Sequence, residues 1–257
     1  MLSRWGLRGA VLVYLGALLL VPTGLVFYRT FEHGLGAFWD SVTTPAAQHA
    51  FQLTLELAAI AVPLNTIFGI AMALALVRGR WRGKALVEAI IDLPFAVSPV
   101  IIGLSLLLVF GREGWIHLPF QVMFALPGMA LATIFVSLPF VVREVVPVLR
   151  EVGDEQEQAA ATLGATGWPT FRRITLPSIR WGVAYGVVLS VARAIGEFGA
   201  VSVVSGHIAG KTDTLTLLVQ ERFENFDVRG AYAASALLAA IALATLFTMT
   251  LTRRRTA

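Results

Sequence analysis

No cysteine occurs anywhere in the chain, so disulfides and cysteine-ligated metals are excluded at the outset. Charge is almost as scarce: only 14% of the 257 residues are Asp, Glu, Lys or Arg, against about 25% in soluble domains. The four histidines, His33, His49, His117 and His207, all fall in connectors and show no metal-ligand spacing. No paired carboxylates and no nucleophile beside a base stand in the apolar stretches. Neither catalytic residues nor a cofactor are therefore expected. There is no evident internal repeat and no low-complexity tract. A net charge of +4 would admit nucleic acid, but the arginines lie between long apolar runs, where membrane topology accounts for them.

What the chain has in abundance is apolar sequence, 57% of its residues, with a mean hydropathy of +0.76. Six runs are long enough to cross a bilayer: 10–27, 51–77, 90–110, 122–142, 182–205 and 230–251. The expected fold class is therefore all-α integral membrane, with about six transmembrane helices. Arg4 and Arg8 precede the first run, and no small-x-small cleavage site follows it, so a retained anchor is expected rather than a signal peptide. The second run is 27 residues long. That predicts tilt, or a start outside the hydrocarbon near Leu57. Pro94 and Pro99 predict a kinked or partly unwound third span.

Basic residues alternate in density from connector to connector. One set of loops holds Arg4, Arg8, Arg78, Arg80, Arg82, Lys84, Arg143, Arg150, Arg172, Arg173, Arg180 and the terminal arginines 253–255. The alternate loops hold only Arg29, Arg112, Lys211, Arg222 and Arg229, and Arg193 lies within a span. By the positive-inside rule both termini are expected in the cytoplasm. Gly182 and Gly186, and Ala236, Ala240 and Ala244, have the small-xxx-small spacing that lets helix backbones approach closely.

One connector breaks the pattern of short loops. Residues 153–180 form the longest polar interval and fall on the predicted cytoplasmic side. Asp154 and Glu157 have capping-box spacing, and Asp154, Glu155 and Glu157 place anions in a first helical turn. Ala159, Ala160 and Ala161 continue that helix with almost no bulk, and Gly164 supplies a stop. A second short helical piece carrying Phe171 to Ile174 is expected to end before Leu176-Pro177. A small-faced helix outside the membrane suits a cleft on a partner protein. An amphipathic helix resting on lipid is less consistent with the acidic first turn, which an anionic leaflet repels.

The segment resembles the EAA loop of ABC importer permeases, whose pattern is E-A-A-x3-G-x9-I-x-L-P. Gln158-Ala159-Ala160, Gly164, Ile174, Leu176 and Pro177 stand at its positions, with Gln158 in place of the usual glutamate and Glu157 beside it. Three further segments resemble sulfate/thiosulfate permeases of the CysW type: residues 91–100 (IDLPFAVSPV), 139–144 (PFVVRE) and 192–208 (ARAIGEFGAVSVVSGHI). The similarity spans the chain. It implies the type I ABC importer permease fold over 51–251, preceded by an anchor and connector at 1–50 and followed by a tail at 252–257. It also implies a cytoplasmic ABC ATPase dimer that couples through Glu157, Gln158, Ala159, Ala160, Gly164, Ile174, Leu176 and Pro177. A second, related permease would complete a heterodimeric pore in the bacterial inner membrane. A periplasmic sulfate-binding protein would deliver sulfate or thiosulfate. Molybdate permeases have a similar 192–200 segment, so molybdate or tungstate is the alternative solute. An ATP-independent anion transporter would not need a patterned coupling loop.

Three other features need a reading. Residues 206–212 suggest a phosphate loop, but only three residues separate Gly206 from Gly210 where four are required. A turn facing an extracytoplasmic partner fits better. Arg193 and Glu197, four apart on the fifth span, share a helix face. Each alone would cost about 2.5–3.5 kcal/mol at the bilayer centre. Either they line a polar path, or they form a mutually neutralised pair that fixes the helix; a paired arginine is a poor trap for a dianion. Asp92 is expected to be solvated or paired with the 78–84 loop, and Glu56 to be interfacial.

Overall fold

A computed structural model describes residues 4–208 and 210–254. Ala209 of the 206–212 turn and Arg255 of the terminal arginine run lie outside the described residues. Every regular element among the described residues is helical. They are α1 (Arg4–Phe31), α2 (Gly34–Val42), α3 (Pro45–Val77), α4 (Lys84–Ala96), α5 (Pro99–Phe110), α6 (Leu126–Val152), α7 (Glu155–Thr162) and α8 (Gly167–Thr170). A π-helical turn (Phe171–Thr175) leads into α9 (Leu176–Ile195), followed by α10 (Gly199–Ser205), α11 (Leu215–Glu224) and α12 (Val228–Arg254).

Five helical stretches are long and apolar enough to cross a membrane, and the α4–α5 pair makes a sixth if its two halves count as one span. The third span is thus broken, not merely kinked, with a bend of 110°. Val97 and Ser98 are extended, and Pro99 opens α5. A residue before proline resists the α region, so Ser98 cannot continue α4. Pro94, by contrast, is absorbed inside α4. α3 runs unbroken from its Thr44 cap, whose hydroxyl accepts from Ala47 N at 3.3 Å. The helix begins at Pro45, twelve residues before Leu57, and at 33 residues it is longer than a bilayer core requires.

α6 lies at the centre, with α3 along one side and α9 along the other. The seam works because glycine removes side chains where backbones meet. A Cβ on Gly69 of α3 would lie 2.6 Å from Val141 Cβ, and one on Gly186 of α9 would lie 2.7 Å from Val141 Cα. Val141 is thereby gripped from both sides. Gly182 closes the same seam, 2.9 Å from the Glu144 carbonyl. The alanine series on α12 behaves differently, since Ala236 is buried but Ala240 and Ala244 are exposed.

Polar groups reinforce the centre. Asn65 is 1% exposed, and its amide donates to Ile134 O at 3.0 Å and to Ser137 Oγ at 2.8 Å. Ser190 of α9 donates to Ser137 O at 3.2 Å, so one network joins α3, α6 and α9. Asn65→Val is expected to lower stability by about 0.5–1.5 kcal/mol, the range for interhelical hydrogen bonds in membranes. Denaturation in mixed detergent micelles measures it.

Two poles result. At one, the end of α3, the start of α4, the end of α6 and the 153–175 hairpin come together. At the other, Arg222 of α11 ties three elements, donating to Ser41 O, Gly230 O and Thr44 Oγ1 at 2.8–3.1 Å. α1 stands apart, exposed along most of its length. Its main neighbours are α2 and α12, the latter partly through Thr30 Oγ1 donating to Tyr232 O at 3.0 Å.

Candidate functional site

The hairpin at 153–175 is built from three local decisions. Asp154 occupies the N-cap of α7 but makes no side-chain cap bond. The capping box anticipated from spacing does not form, because Glu157 turns away from the cap toward Arg78 and Thr175. A full charge on the carboxylate makes a stronger bond with a guanidinium than with one backbone amide. At the other end, Gly164 adopts φ +82°, Ala165 N donates to Ala160 O and Gly164 N to Ala161 O. That is a Schellman closure, and it places Gly164 where glycine alone is unstrained.

The third decision overturns an expectation. The second helical piece does not end before Pro177; it runs into α9 without interruption. Leu176 is in the α region, and its N–H donates to Phe171 O, five residues back. The π-helical turn widens the ladder immediately ahead of the proline, which then takes an N-terminal position of α9, where no donor is needed. The hairpin is therefore continuous with a membrane span, and force on one end reaches the other.

The predicted coupling residues divide between two sides of this hairpin. Gln158, Ala159, Gly164 and Pro177 are exposed; Glu157, Ala160, Ile174 and Leu176 are partly covered. Glu157 and Ile174 line one small cleft together with Arg78 and Thr175. The outer side carries two large apolar side chains in water, Leu163 at 89% and Trp168 at 70% exposure. Leu163 immediately precedes the glycine turn at Gly164 and Trp168 follows it at the start of α8. Sequence reasoning passed over both, because the same connector also holds Phe171, Ile174 and Leu176 and nothing local separates the exposed apolar residues from the covered ones.

Arg78 is the other residue that spacing did not single out. Its Nε donates to Glu157 Oε2 at 3.0 Å and one terminal nitrogen to Leu149 O at 3.2 Å; the other terminal nitrogen donates to Gly153 O. Thr175 Oγ1 donates to Glu157 Oε1 at 2.8 Å.

Arg193 and Glu197 lie about 27 Å up α9 from Thr175, at 1.5 Å per residue. Their N···O distance is 2.7 Å, with side-chain exposures of 28% and 2%. The chain breaks here, between α9 and α10, which sequence did not anticipate. Glu197 Oε1 accepts from Ala200 N at 2.8 Å and so caps α10, while its backbone carbonyl accepts from Thr216 Oγ1 at 2.7 Å. This break meets the one between α4 and α5. A Cβ on Gly199 would lie 2.9 Å from Pro99 Cβ, and one on Gly103 would lie 2.7 Å from Ala200 O.

The remaining charges are arranged differently from expectation. Asp92 pairs with Arg143 of α6, Nε to Oδ1 at 2.6 Å, not with the 78–84 loop. Lys84 instead donates to Leu76 O at 2.6 Å. Arg150 and Glu88, at 3.1 Å, add a second rung between α4 and α6. Glu56 is exposed and accepts from Gln52 at 2.7 Å. The 206–212 turn consumes its own amides: His207 N bonds to Ser205 Oγ, Ile208 N to Thr212 Oγ1, and Lys211 N and Thr212 N to Ile208 O. Beside it Asp213 is buried, and burial pushes its carboxyl above the ordinary range while His207 and His49 draw it down.

Comparison with known proteins bears on this arrangement. The family described as binding-protein-dependent transport system inner membrane component matches residues 65–256. The sulfate transport system permease protein CysW of Synechococcus elongatus is 49% identical over 97% of this chain and 89% of its own. Its counterpart in Escherichia coli K12 is 46% identical over 95% and 86%. The sulfate transport system permease protein CysT of the same organism is 37% identical over 94% and 89%. Among solved structures, a bacterial ABC transporter involved in the import of the acidic polysaccharide alginate contains a chain with TM-score 0.79. That chain is 19% identical, with 98% of this chain and 96% of the other covered. The likeness establishes the fold as that of an ABC importer permease.

Proposed function

The chain belongs to the family of binding-protein-dependent transport system inner membrane components, and from that premise we propose that it is a permease subunit of an ATP-driven sulfate importer. The observation that carries the solute is likeness at 46–49% identity over nearly the full length to proteins named as sulfate permeases. The chain also resembles a second kind of sulfate permease at 37%, which supports a heterodimeric pore made with a related but distinct partner.

Energy enters from a separate cytoplasmic ATPase dimer. The hairpin supports this reading: Leu163, Gly164 and Trp168 are exposed, and the hairpin is joined without interruption to α9. Closure of the ATPase would push the hairpin and rock the spans between inward-open and outward-open states. A periplasmic binding protein delivers sulfate, and thiosulfate with it, at the opposite pole. The basic loops gather at the hairpin pole, so both termini and the hairpin lie in the cytoplasm of a multi-pass inner-membrane protein.

Radiolabelled sulfate uptake in a sulfate-permease-deficient cell tests the assignment. Expression of the chain with its partner subunits is expected to restore uptake, and excess molybdate is expected to leave it intact. Uptake abolished by equimolar molybdate would transfer the assignment to molybdate.

A further inference from the structure

We propose that Arg78 is a positioning residue that makes the coupling hairpin move as one body with the ends of α3, α6 and α9. The proposal rests on the reading that an ATPase docks on the hairpin, and it assigns the link that carries the push onward.

α7 is short and has no buried residue. It joins α6 through Gly153, at φ +69°, and its alanines are exposed or only partly covered. A helix tethered at a glycine pivots when pushed, and the displacement is lost as rotation of the hairpin. What opposes the pivot is one carboxylate. Glu157 receives Arg78 from the end of α3 and the hydroxyl of Thr175 from the π-helical turn that opens α9. The same guanidinium reaches the carbonyls of Leu149 and Gly153, at the end of α6 and on the pivot itself. Four segments therefore meet on one ion pair. Arginine is suited to this because its planar fork offers five donors in fixed directions, which a lysine cannot reproduce. The pair is sheltered, with side-chain exposures of 21% and 22%, so salt screens it less than an open surface pair.

The acid beside the coupling motif thus faces its own chain. Docking is left to the exposed side, where Gln158, Ala159, Leu163 and Gly164 lie. A glutamine at 158 is then tolerated, since the charge that secures the hairpin comes from the neighbouring position.

The test uses the complete transporter, with ATPase, second permease and binding protein, reconstituted in liposomes. ATP hydrolysed and radiolabelled sulfate moved are measured in the same vesicles. With Arg78→Gln, the ATPase subunit is expected to co-purify as in the wild type, while sulfate moved per ATP falls about tenfold, within the usual range of coupling between sites. Arg78→Lys should fall between the two, because a point charge can meet Glu157 but not both carbonyls. Its milder change also keeps the test open if Arg78→Gln inserts poorly. An unchanged ratio in both variants would overturn the proposal. Loss of the ATPase from the Arg78→Gln complex would overturn it too, by making the residue part of the docking surface. If the wild-type complex itself retained no ATPase, the docking reading would fall and the proposal with it, a failure visible before any variant is made.

Discussion

With Gly164 replaced by leucine, sulfate uptake is expected to fall about a hundredfold or more, equivalent to about 2.7 kcal/mol of lost coupling, while the chain reaches the membrane in normal amount. The reasons are local. Gly164 sits at φ +82°, where a side chain adds about 1–2 kcal/mol of backbone strain. Nothing in the chain lies within 4 Å of a Cβ built there, so the bundle itself does not resist the substitution. The added bulk meets only what docks between Leu163 and Trp168. Gly164→Asn separates the two effects, because asparagine tolerates the left-handed region and adds a smaller side chain. It is expected to keep a substantial part of the uptake. Normal uptake with leucine at 164 would show that the hairpin is not a docking element.

The second large effect is at the break between α9 and α10. Arg193→Ala is expected to destabilise the protein by about 3 kcal/mol, the lower end of the range for removing one partner of a buried ion pair, because the Arg193 side chain is itself 28% exposed. Glu197 is 3% exposed, and without Arg193 its charge would be met only by backbone amides at the start of α10. Glu197→Gln in the Arg193→Ala background should recover most of the loss, since the amide oxygen can still cap α10. Thermal melting of the purified, detergent-solubilised chain measures both variants. A different role for Arg193 gives a different pattern. Were it chiefly a trap for the solute dianion, Arg193→Ala would reduce uptake and leave the melting temperature in place. The two side chains are in contact at 2.7 Å, as a mutually neutralised pair requires. Glu197 is tied to α9, α10 and α11 at once, and its arginine partner completes the tie.

Much of this was legible in sequence because bilayers impose simple rules. Six apolar runs, the break signalled by Pro99 and the Gly182–Gly186 seam all follow from length, backbone chemistry and side-chain volume. The two-part hairpin and its turn at Gly164 were legible for the same reason. What escaped was partner choice. Asp154 and Glu157 have the spacing of a capping box, yet Glu157 chose a guanidinium 79 positions back in the chain. Arg78 was one of four basic residues in a short loop, and no local pattern distinguishes the one that turns inward. The break at Gly196–Phe198 contains no proline, so it could be seen only through the carboxylate that caps the following helix. Asn65 was legible in principle, as a lone amide in an apolar run, but its network depends on two serines brought from α6 and α9. Pro177 misled because a π-helical turn is a tertiary solution that sequence does not advertise.

The breaks beside the central helices have a mechanical consequence. α3 and α6 cross the centre of the bundle in one piece, while the chain beside them bends between α4 and α5 and again after α9, where Gly199 meets Pro99. A stroke delivered at the hairpin pole can reach the far pole through these two rods. α3 has 33 residues, or about 50 Å of lever, so a tilt of ~10° at one end sweeps the other through about 9 Å. That is wider than a tetrahedral oxyanion, so opening a passage for one asks for leverage and little unfolding.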